Sequence, residues 1–385
     1  MKLRNILLPA LLPLLPVQAM ADTTVEPADT IVAAVKKPNL IQRVINYFDD
    51  SNKEQDLKKF DFSVIGGPHY SSDTSFGIGL VAAGTYRRDL NDTLTPPSNV
   101  SVYGDISVTL YYKVGIEGNH IGRNDNWRVD YDVYFMSFPD KYWGIGYDMN
   151  SNDANETKYK RYQTRLKSDI MWRVVPNLYL GPQVLFDYTN AHDTDHPELW
   201  TQRMHAFTSG AGLAIQYDTR DHLTNPYRGW FLRLEQMFYP KFISNRYAFS
   251  STELTAKWYK SVWKGGVIAT QLHALLTYGN TPWSMMARLG GSDTMRGYYE
   301  GRYNDKCAFD ATIELRQHVW RRNGVVVWAG FGEVFPNFSK LSAQHILPNY
   351  GLGYRWEFKK RVNVRLDLGF GKGQTGFIFN INEAF

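Results

Sequence analysis

The chain has 385 residues, a formal net charge of +5 and one cysteine, Cys307. So mild a charge does not predict a nucleic-acid partner, and a single cysteine excludes an internal disulfide framework. No run of roughly 18 apolar residues follows residue 21, so the sequence predicts no transmembrane helix there. Aromatic residues make up 15% of the chain, with 25 Tyr and 11 Trp, which is typical of a protein with aromatic girdles at two membrane interfaces.

The first residues have the pattern of a secretory signal peptide over 1–21. Lys2 and Arg4 give a basic start, residues 5–17 are apolar, and Ala19-Met20-Ala21 matches an A-x-A cleavage site. The apolar run is too short for a membrane span. We therefore predict export from the cytoplasm, with the mature chain starting at Asp22.

Residues 22–58 are expected to form a short periplasmic segment ahead of the main domain. Residues 22–36 are small and polar, whereas the stretch PNLIQRVINYFDD, residues 38–50, places its apolar side chains on one helical face. The sequence thus predicts a short N-terminal amphipathic helix over 38–50. It is expected to pack on a rim or in a mouth of the domain that follows, with recruitment of a periplasmic partner as the alternative.

From residue 59 to residue 385 the hydrophobic pattern has a period of two. In RVNVRLDLGF, residues 361–370, the even-numbered residues are apolar and the odd-numbered ones are polar or glycine. A strand of a soluble sandwich also alternates. However, these strands are long and their polar faces carry charges of both signs, which indicates an apolar face against lipid and a polar face against a lumen. The predicted fold class is all-β, a closed antiparallel transmembrane β-barrel over residues 59–385.

Fifteen strands can be counted, and single-chain bacterial barrels have an even number. We therefore predict sixteen strands, with one undetected near the start. The counted strands centre near residues 65, 81, 108, 132, 167, 183, 213, 234, 255, 272, 313, 328, 353, 365 and 380. The tight turns RVVPN, WKGG, WRRNG and FKKR are assigned to the periplasmic side. The longer connections are assigned to the outer side, namely residues 89–99, 140–159, 190–206, 280–305 and 336–347.

Two stretches carry motifs beyond the alternation. The stretch GLAIQYDTRDHLTNPYRGWFLRLEQMFY, residues 212–239, has a strand–turn–strand pattern marked by Asp218, Arg220, Asp221, Pro226, Arg228 and Gly229. The stretch GGSDTMRGYYEGRYND, residues 290–305, is marked by Gly290, Gly291, Met295, Arg296, Gly297 and Tyr298. Both resemble motifs of the BamA/TamA outer-membrane superfamily, also called the bacterial surface antigen family. The resemblance covers the sequence from about residue 60 onward.

The resemblance implies that the loop over 290–305 folds back into the barrel lumen, where an acidic residue of the wall holds its arginine. A bidentate guanidinium–carboxylate pair suits such an anchor because it is directional. At the position that matches the family's aspartate, this sequence has Gly330. The candidate counter-charges are Glu314 and Asp367, and our hypothesis is that Glu314 holds Arg296.

The last predicted strand, GFIFNINEAF, ends in Phe385. Its aromatic and aliphatic side chains at 377, 379, 381 and 385 are predicted to share the lipid face. A terminal aromatic residue on that face resembles the C-terminal signal that the outer-membrane assembly machinery reads. An ordinary last strand with a girdle aromatic remains the alternative.

The resemblance further implies a protein of the outer membrane of a Gram-negative bacterium that assembles, inserts or transports protein or lipid. We expect no catalytic residue, no cofactor and no metal. The expected partners are outer-membrane lipid, either phospholipid or lipopolysaccharide, together with periplasmic or outer-membrane proteins. Residues 22–59 are too few for a periplasmic POTRA module or a patatin-like lipase domain, so a barrel-only member is expected.

Two other functions stay open at this point. The inward charges could line a passive, porin-like channel. A lipid enzyme is the weaker alternative, because no Ser–His pair suggests a nucleophile. The stretch HDTDH, residues 192–196, carries two His and two Asp in one outward loop. We interpret it as a solvated loop, since its spacing fixes no third or fourth metal ligand.

Overall fold

The structure, a computed structural model, describes residues 60–87, 89, 95, 97–243 and 245–385. The predicted signal peptide and the predicted helix over 38–50 lie outside the described residues. The strands are β1 (Phe60–Ser71), β2 (Ser75–Tyr86), β3 (Ser98–Ser107), β4 (Tyr112–Ile121), β5 (Trp127–Tyr142), β6 (Thr157–Val175), β7 (Leu178–His192), β8 (His205–Asp218), β9 (Gly229–Tyr239), β10 (Phe249–Trp263), β11 (Gly266–Gly279), β12 (Ala287–Leu289), β13 (Tyr303–Asp305), β14 (Cys307–Trp320), β15 (Asn323–Phe335), β16 (Leu347–Lys359), β17 (Val362–Gly371) and β18 (Gln374–Ile381).

Helical structure is confined to short loop segments among the residues described. These are α1 (Tyr147–Ser151) and the 3-10 turns Arg123–Asp125, Asp153–Asn155, Pro197–Leu199, Lys241–Ile243, Trp283–Met285, Phe338–Lys340 and Ala343–His345. Within the same part of the chain, no helix has the length and hydropathy that a membrane span requires.

Sixteen of the strands form one closed antiparallel barrel. Consecutive strands pair with each other, β11 pairs with β14, and β18 returns to β1. The short strands β12 and β13 pair only with each other, inside the loop between β11 and β14. The prediction of a closed 16-stranded antiparallel barrel is therefore confirmed. Closure lets the backbone groups of the wall pair within the sheet, which a lipid environment demands.

The period of two places charge in the lumen and apolar side chains on the outside. On β17, Arg365 and Asp367 are buried in the lumen, whereas Leu366 between them is 36% exposed on the outer face. Ile106 and Leu352 are 59% and 56% exposed on the same outer surface. Such exposure would be unfavourable in water, but it matches a surface that faces acyl chains.

The prediction of a strand centred near residue 108 is wrong, because residues 108–111 form the turn of a hairpin between β3 and β4. Leu110 takes a left-handed φ of +65°, and its N–H donates to the Ser107 carbonyl at 3.1 Å. This turn has no Gly, Pro, Asn or Asp, the residues that usually mark a reversal. The hairpin supplies the sixteenth strand near the start, where it was expected.

The extra hairpin also corrects one loop assignment. The tight turns at 176–177, 264–265, 321–322 and 360–361 share one end of the barrel, here called the tight-turn end. β2 ends and β3 begins at this end, so their connection is not, as predicted for 89–99, on the side of the long loops. The backbone N–H of Asn124, in the turn after β4, donates to Thr95 Oγ1 at 2.8 Å. The opposite, long-loop end carries the loops at 143–156, 193–204, 280–306 and 336–346.

Candidate functional site

The loop at residues 280–306 folds back into the lumen and has a small core of its own. The β12–β13 ladder pairs Leu289 with Tyr303 at its inner end. Leu289, Met295 and Tyr298 are at most 3% exposed, and they pack with Leu347 of the wall. The inserted loop is thus an ordered part of the lumen, fixed by apolar packing as well as by charge.

Gly297 brings the loop backbone into contact with the wall. Its φ is +118°, and a β-carbon there would lie 2.7 Å from the carbonyl carbon of Gly369 on β17. Conversely, a β-carbon at Gly369 would lie 2.2 Å from the Arg296 carbonyl oxygen. Two glycines therefore face each other, because any side chain would separate the two backbones.

The glycine pair at the start of the motif orders the far side of the same turn. Gly290 and Gly291 have φ values of +104° and +112°. The N–H of Gly291 donates to the Tyr298 carbonyl at 3.1 Å. The Tyr298 hydroxyl donates to the Pro348 carbonyl at 2.7 Å and accepts from the Lys372 N–H at 2.7 Å. The motif residues thus close the turn and tie it to β16 and to the β17–β18 turn.

Arg296 is held by two carboxylates and one indole. Its side chain is 1% exposed; Nη1 donates to Asp367 Oδ2 at 2.8 Å, and Nη2 donates to Glu314 Oε2. The guanidinium carbon lies 3.7 Å from the ring centre of Trp328, a cation–π distance. The Asn349 side-chain amide donates to the Arg296 carbonyl, and Asn349 accepts from the Trp328 indole at 3.0 Å.

The structure thus places both candidate counter-charges against Arg296, one on each side of the guanidinium. Gly330 lies two residues beyond Trp328 on β15 and pairs with Asn349. A β-carbon at Gly330 would lie 2.4 Å from the Ala311 carbonyl oxygen. No acidic side chain fits at that position in this packing, so the charge comes from β14 and β17 instead.

Six buried side chains form one closed ring of ion pairs, here called the lumen ring. Its members, in order, are Arg296, Glu314, Arg316, Glu383, Arg355 and Asp367. Each side chain is at most 7% exposed, and arginines alternate with carboxylates, so the formal charges cancel. Arg316 Nε lies 2.6 Å from Glu314 Oε1 and 3.8 Å from Glu383 Oε2. Arg355 lies 2.8 Å from Glu383 and 2.5 Å from Asp367.

Sequence reasoning missed Trp328, Asn349, Arg355 and Glu383 as parts of this site. The first three lie on lumen-facing positions of β15 and β16. Assigning the inward and outward positions of these two strands would have placed them beside the inward charges. Glu383 follows the end of β18, so the alternation gave no signal for it.

Residues 382–385, here called the end segment, turn into the lumen at the tight-turn end. The β18 ladder stops at Ile381, and Asn382 takes a left-handed φ of +71°. Phe385 is 8% exposed, with its ring centre 6.5 Å from that of Tyr259 on β10. The predicted lipid-facing orientation of Phe385 is therefore wrong, because the turn at Asn382 breaks the alternation. Phe377, within the strand, does face outward and is 41% exposed.

The strand–turn–strand motif forms a compact loop between β8 and β9 at the tight-turn end. Asp218 and Arg220 form a two-point ion pair of 3.0 and 2.7 Å. Asp221 Oδ1 accepts the N–H of Tyr227 at 2.8 Å and that of Arg228 at 3.2 Å. These N–H groups outweigh partial burial and hold the pKa of Asp221 below its usual value.

The same loop reaches the turn between β16 and β17. Arg361 donates to Asp221 Oδ2 at 3.1 Å and to the Asn225 carbonyl at 2.8 Å, and its guanidinium carbon lies 3.4 Å from the Tyr227 ring centre. Pro226 is buried in this contact region. At the start of β9, a β-carbon on Gly229 would lie 2.3 Å from the Thr219 carbonyl oxygen. The motif therefore joins two parts of the barrel that are distant along the wall.

The seam between β1 and β18 is the most weakly paired junction of the described barrel. Ladder pairing is limited to Tyr70 with Phe379 and Ser71 with Ile378, whereas β1 pairs with β2 along its whole length. One further hydrogen bond runs from the Phe377 N–H to Ser72 Oγ at 3.1 Å. All of these contacts lie at the long-loop end of the seam.

The inserted loop bridges the seam at its paired end. The N–H of Tyr299 donates to Gln374 Oε1 on β18 at 3.0 Å. The next N–H, that of Glu300, donates to Asp73 Oδ2 in the turn after β1 at 3.2 Å. We call these two bonds the seam staple. Burial and the neighbouring Glu300 carboxylate raise the pKa of Asp73 to about 7.

No metal-binding arrangement of three or more His, Cys, Asp or Glu side chains occurs in the part of the chain that the structure describes. In the loop at 192–196, His196 lies 2.9 Å from Glu198, and His192 lies 3.9 Å from Asp193. The two histidines thus have separate acidic neighbours.

A closed 16-stranded barrel with a loop pinned in its lumen by a buried arginine defines a class of bacterial outer-membrane protein. Residues 96–385 match the Omp85 superfamily domain. The chain therefore belongs to the Omp85 superfamily, and its fold is that of an outer-membrane β-barrel.

Solved structures agree with this fold. BamA from Haemophilus ducreyi lacking POTRA domains 1–3 matches with a TM-score of 0.57 and 10% identity, over 85% of this chain and 71% of that one. CdiB from Acinetobacter baumannii matches with 0.57 and 12%, over 86% and 60%. CdiB from Escherichia coli matches with 0.56 and 11%, over 85% and 64%. The chain thus spans less than two thirds of either CdiB chain. No curated protein matches the sequence.

Proposed function

We propose that this barrel inserts or transports protein or lipid at the outer membrane by opening laterally between β1 and β18, without a chemical step. The observation that carries the proposal is the seam, whose ladder consists of two residue pairs at one end. A ladder of two pairs leaves few backbone bonds to break, and an opened strand edge offers its N–H and C=O groups to an added strand. The seam is therefore where an incoming strand or lipid would gain most.

The inserted loop would control this opening. The seam staple joins the loop to both sides of the seam, while Arg296 joins the same loop to β14 and β17. Opening the seam at the long-loop end must therefore break the staple or move the loop. The lumen ring resists that movement, because breaking a buried ion pair leaves an uncompensated charge.

We propose that the partners are outer-membrane lipid, either phospholipid or lipopolysaccharide, and periplasmic or outer-membrane proteins. The broad apolar outer face supports contact with acyl chains, as the exposure of Ile106 and Leu352 shows. The short β1–β18 ladder suits a protein client that adds a strand.

The test is a disulfide across the seam. Ser71→Cys and Ile378→Cys are cross-strand partners, and the Cys307→Ser background removes the one native thiol. The purified barrel in lipid vesicles is assayed with two probes, folding of a urea-unfolded outer-membrane barrel and transfer of a fluorescent phospholipid between leaflets. We expect at least one activity to fall about tenfold on oxidation and to return on reduction.

The matched control is Gln271→Cys with Thr312→Cys, a lumen-facing pair across β11 and β14. Its oxidation should leave the activity unchanged. Full activity with the seam locked would contradict lateral opening. Steady conductance across planar bilayers, unaffected by the lock and raised by deleting residues 290–305, would instead favour a passive channel.

A further inference from the structure

The end segment is held in the way a binding site holds a peptide. Glu383 accepts from Arg355 Nε at 2.8 Å and from Asn363 Nδ2 at 2.5 Å. The Phe385 carbonyl accepts from Arg316 Nη2 at 2.7 Å. Three donors on β14, β16 and β17 thus hold one carboxylate and one backbone carbonyl. Charge-assisted bonds of this kind are short and directional.

The aromatic ring of Phe385 has a slot of its own. The guanidinium carbon of Arg316 lies 5.3 Å from the Phe385 ring centre and 5.7 Å from that of Tyr259. Ala269 and Ala384 complete this buried cluster. The carboxylate site and the aromatic slot are separated by one residue, which defines a Glu-x-Phe recognition pattern.

A cavity of about 100 Å³ adjoins the end segment at the tight-turn end. Its lining includes Arg316, Arg355 and Glu383, together with the aromatic residues Tyr227 and Trp263. Both aromatic residues belong to the tight-turn end of the barrel, in the β8–β9 loop and at the end of β10. A chain segment arriving from that end would meet the pocket without passing the inserted loop.

The pocket shares its arginines with the anchor of the inserted loop. Arg316 also binds Glu314, and Arg355 also binds Asp367. When Glu383 leaves, Arg316 and Arg355 each lose one carboxylate partner and interact more strongly with Glu314 and Asp367. Because the same two acids bind Arg296, occupancy of the pocket is coupled to the strength of the ion pairs that hold the inserted loop.

We propose that this pocket is a peptide-binding site for a Glu-x-Phe segment, filled here by the chain's own end segment. A partner protein's segment of the same chemistry takes its place from the tight-turn end, and occupancy sets how firmly the loop is held. The proposal does not depend on lateral opening. The seam lock and the pocket use different residues, so either proposal can fail alone.

The first experiment measures binding of a fluorescein-labelled Asn-Glu-Ala-Phe peptide, amidated at its C-terminus, by fluorescence anisotropy. The pocket is vacated in the full chain by Glu383→Ala with Phe385→Ala. We expect saturable binding to this variant and binding about tenfold weaker to the unchanged chain, where the end segment competes. The peptide Asn-Gln-Ala-Ala is the control and should not bind. Adding Arg355→Met to the vacated variant should abolish binding.

The second experiment measures how accessible the inserted loop is to a thiol reagent. Met295, which is 1% exposed, is replaced by Cys in the Cys307→Ser background, and its labelling by a maleimide is timed. Vacating the pocket should speed labelling about tenfold, and the added peptide should slow it again. Leu352→Ala, at a residue that is 56% exposed on the outer face of β16, should change nothing.

Folding of each variant is checked by its heat-dependent migration on gels. If the vacated variant fails to fold, Glu383→Gln, which keeps the side-chain shape, replaces Glu383→Ala in it. Absence of peptide binding to the folded, vacated barrel would overturn the site. Binding without any change in loop labelling would overturn the coupling.

Discussion

At the scale of single residues, Arg296 shows how one side chain can fix a long polar loop inside a membrane barrel. Its guanidinium contacts Glu314 and Asp367 at once and lies over the ring of Trp328. A lysine ammonium is a point charge and cannot reproduce this planar, two-sided contact. Burial makes the arrangement sensitive, because each partner left alone would be an unpaired charge in the lumen.

We predict that Arg296→Lys lowers the free energy of unfolding by about 3 kcal/mol. Glu314→Gln and Asp367→Asn should each cost a similar amount, since both carboxylates hold the guanidinium. Stability is measured as the denaturant dependence of heat-modifiable migration. Arg228→Lys, at an exposed arginine, is the control. If Glu314→Gln alone reproduced the loss and Asp367→Asn had no effect, the two-sided anchor would be incorrect.

At the scale of elements, the inserted loop and the seam act as one unit. Tyr299 and Glu300 use consecutive backbone N–H groups to hold β18 and the turn after β1. Asp73 is the carboxylate of this contact, and its burial, together with the charges of Glu300 and Asp140, raises its pKa. Its pKa of about 7 in the closed seam lies above the ordinary value of 3.8.

We predict that the long-loop end of the seam opens more readily as pH rises. The closed form binds the Asp73 proton more tightly than the open form, so closure is favoured most at pH values below the ordinary pKa. That stabilisation is lost as pH rises through about 7. Hydrogen exchange of β18 amides, corrected for intrinsic rates, should therefore show opening about tenfold more frequent at pH 8 than at pH 6. Asp73→Asn should remove this dependence; an unchanged slope in that variant would assign the effect to another group.

At the scale of the whole molecule, stability is distributed unevenly around the wall. The strands from β14 to β17 pair over long registers and carry the lumen ring. The seam on the other side of β18 pairs over two residues. Local opening is easiest where few backbone bonds must break.

Hydrogen exchange, measured by mass spectrometry in lipid discs, should follow this difference in pairing between the seam and the strands from β14 to β17. We predict that peptides from β1 and β18 exchange fastest among the strands and that those from β15 and β16 exchange slowest. Oxidation of the seam disulfide should slow exchange in β1 and β18 alone. Equal protection of β1 and β15 in the unlocked protein would contradict the assignment of the seam as the weak junction.

Much of the architecture could be predicted from the sequence because the barrel imposes a period of two on every strand. The β3–β4 hairpin was missed since its turn, Val-Thr-Leu-Tyr, has no residue that marks a reversal. The placement of residues 89–99 was wrong for the same reason, because one missed strand reverses the direction of everything before it. Phe385 was misplaced because one left-handed residue, Asn382, ends the alternation.

The sequence by itself determined the closed barrel and its lumen-facing charges, because these follow from local pattern and spacing, and the motif around Arg296 was recognised by its resemblance to a known family. Only the tertiary structure decided which carboxylates meet Arg296, since cross-strand register and the return of the end segment bring together residues far apart in the chain. The lumen ring joins positions 296, 314, 316, 355, 367 and 383. The weak seam likewise depends on how the first and last strands meet, which no local pattern encodes.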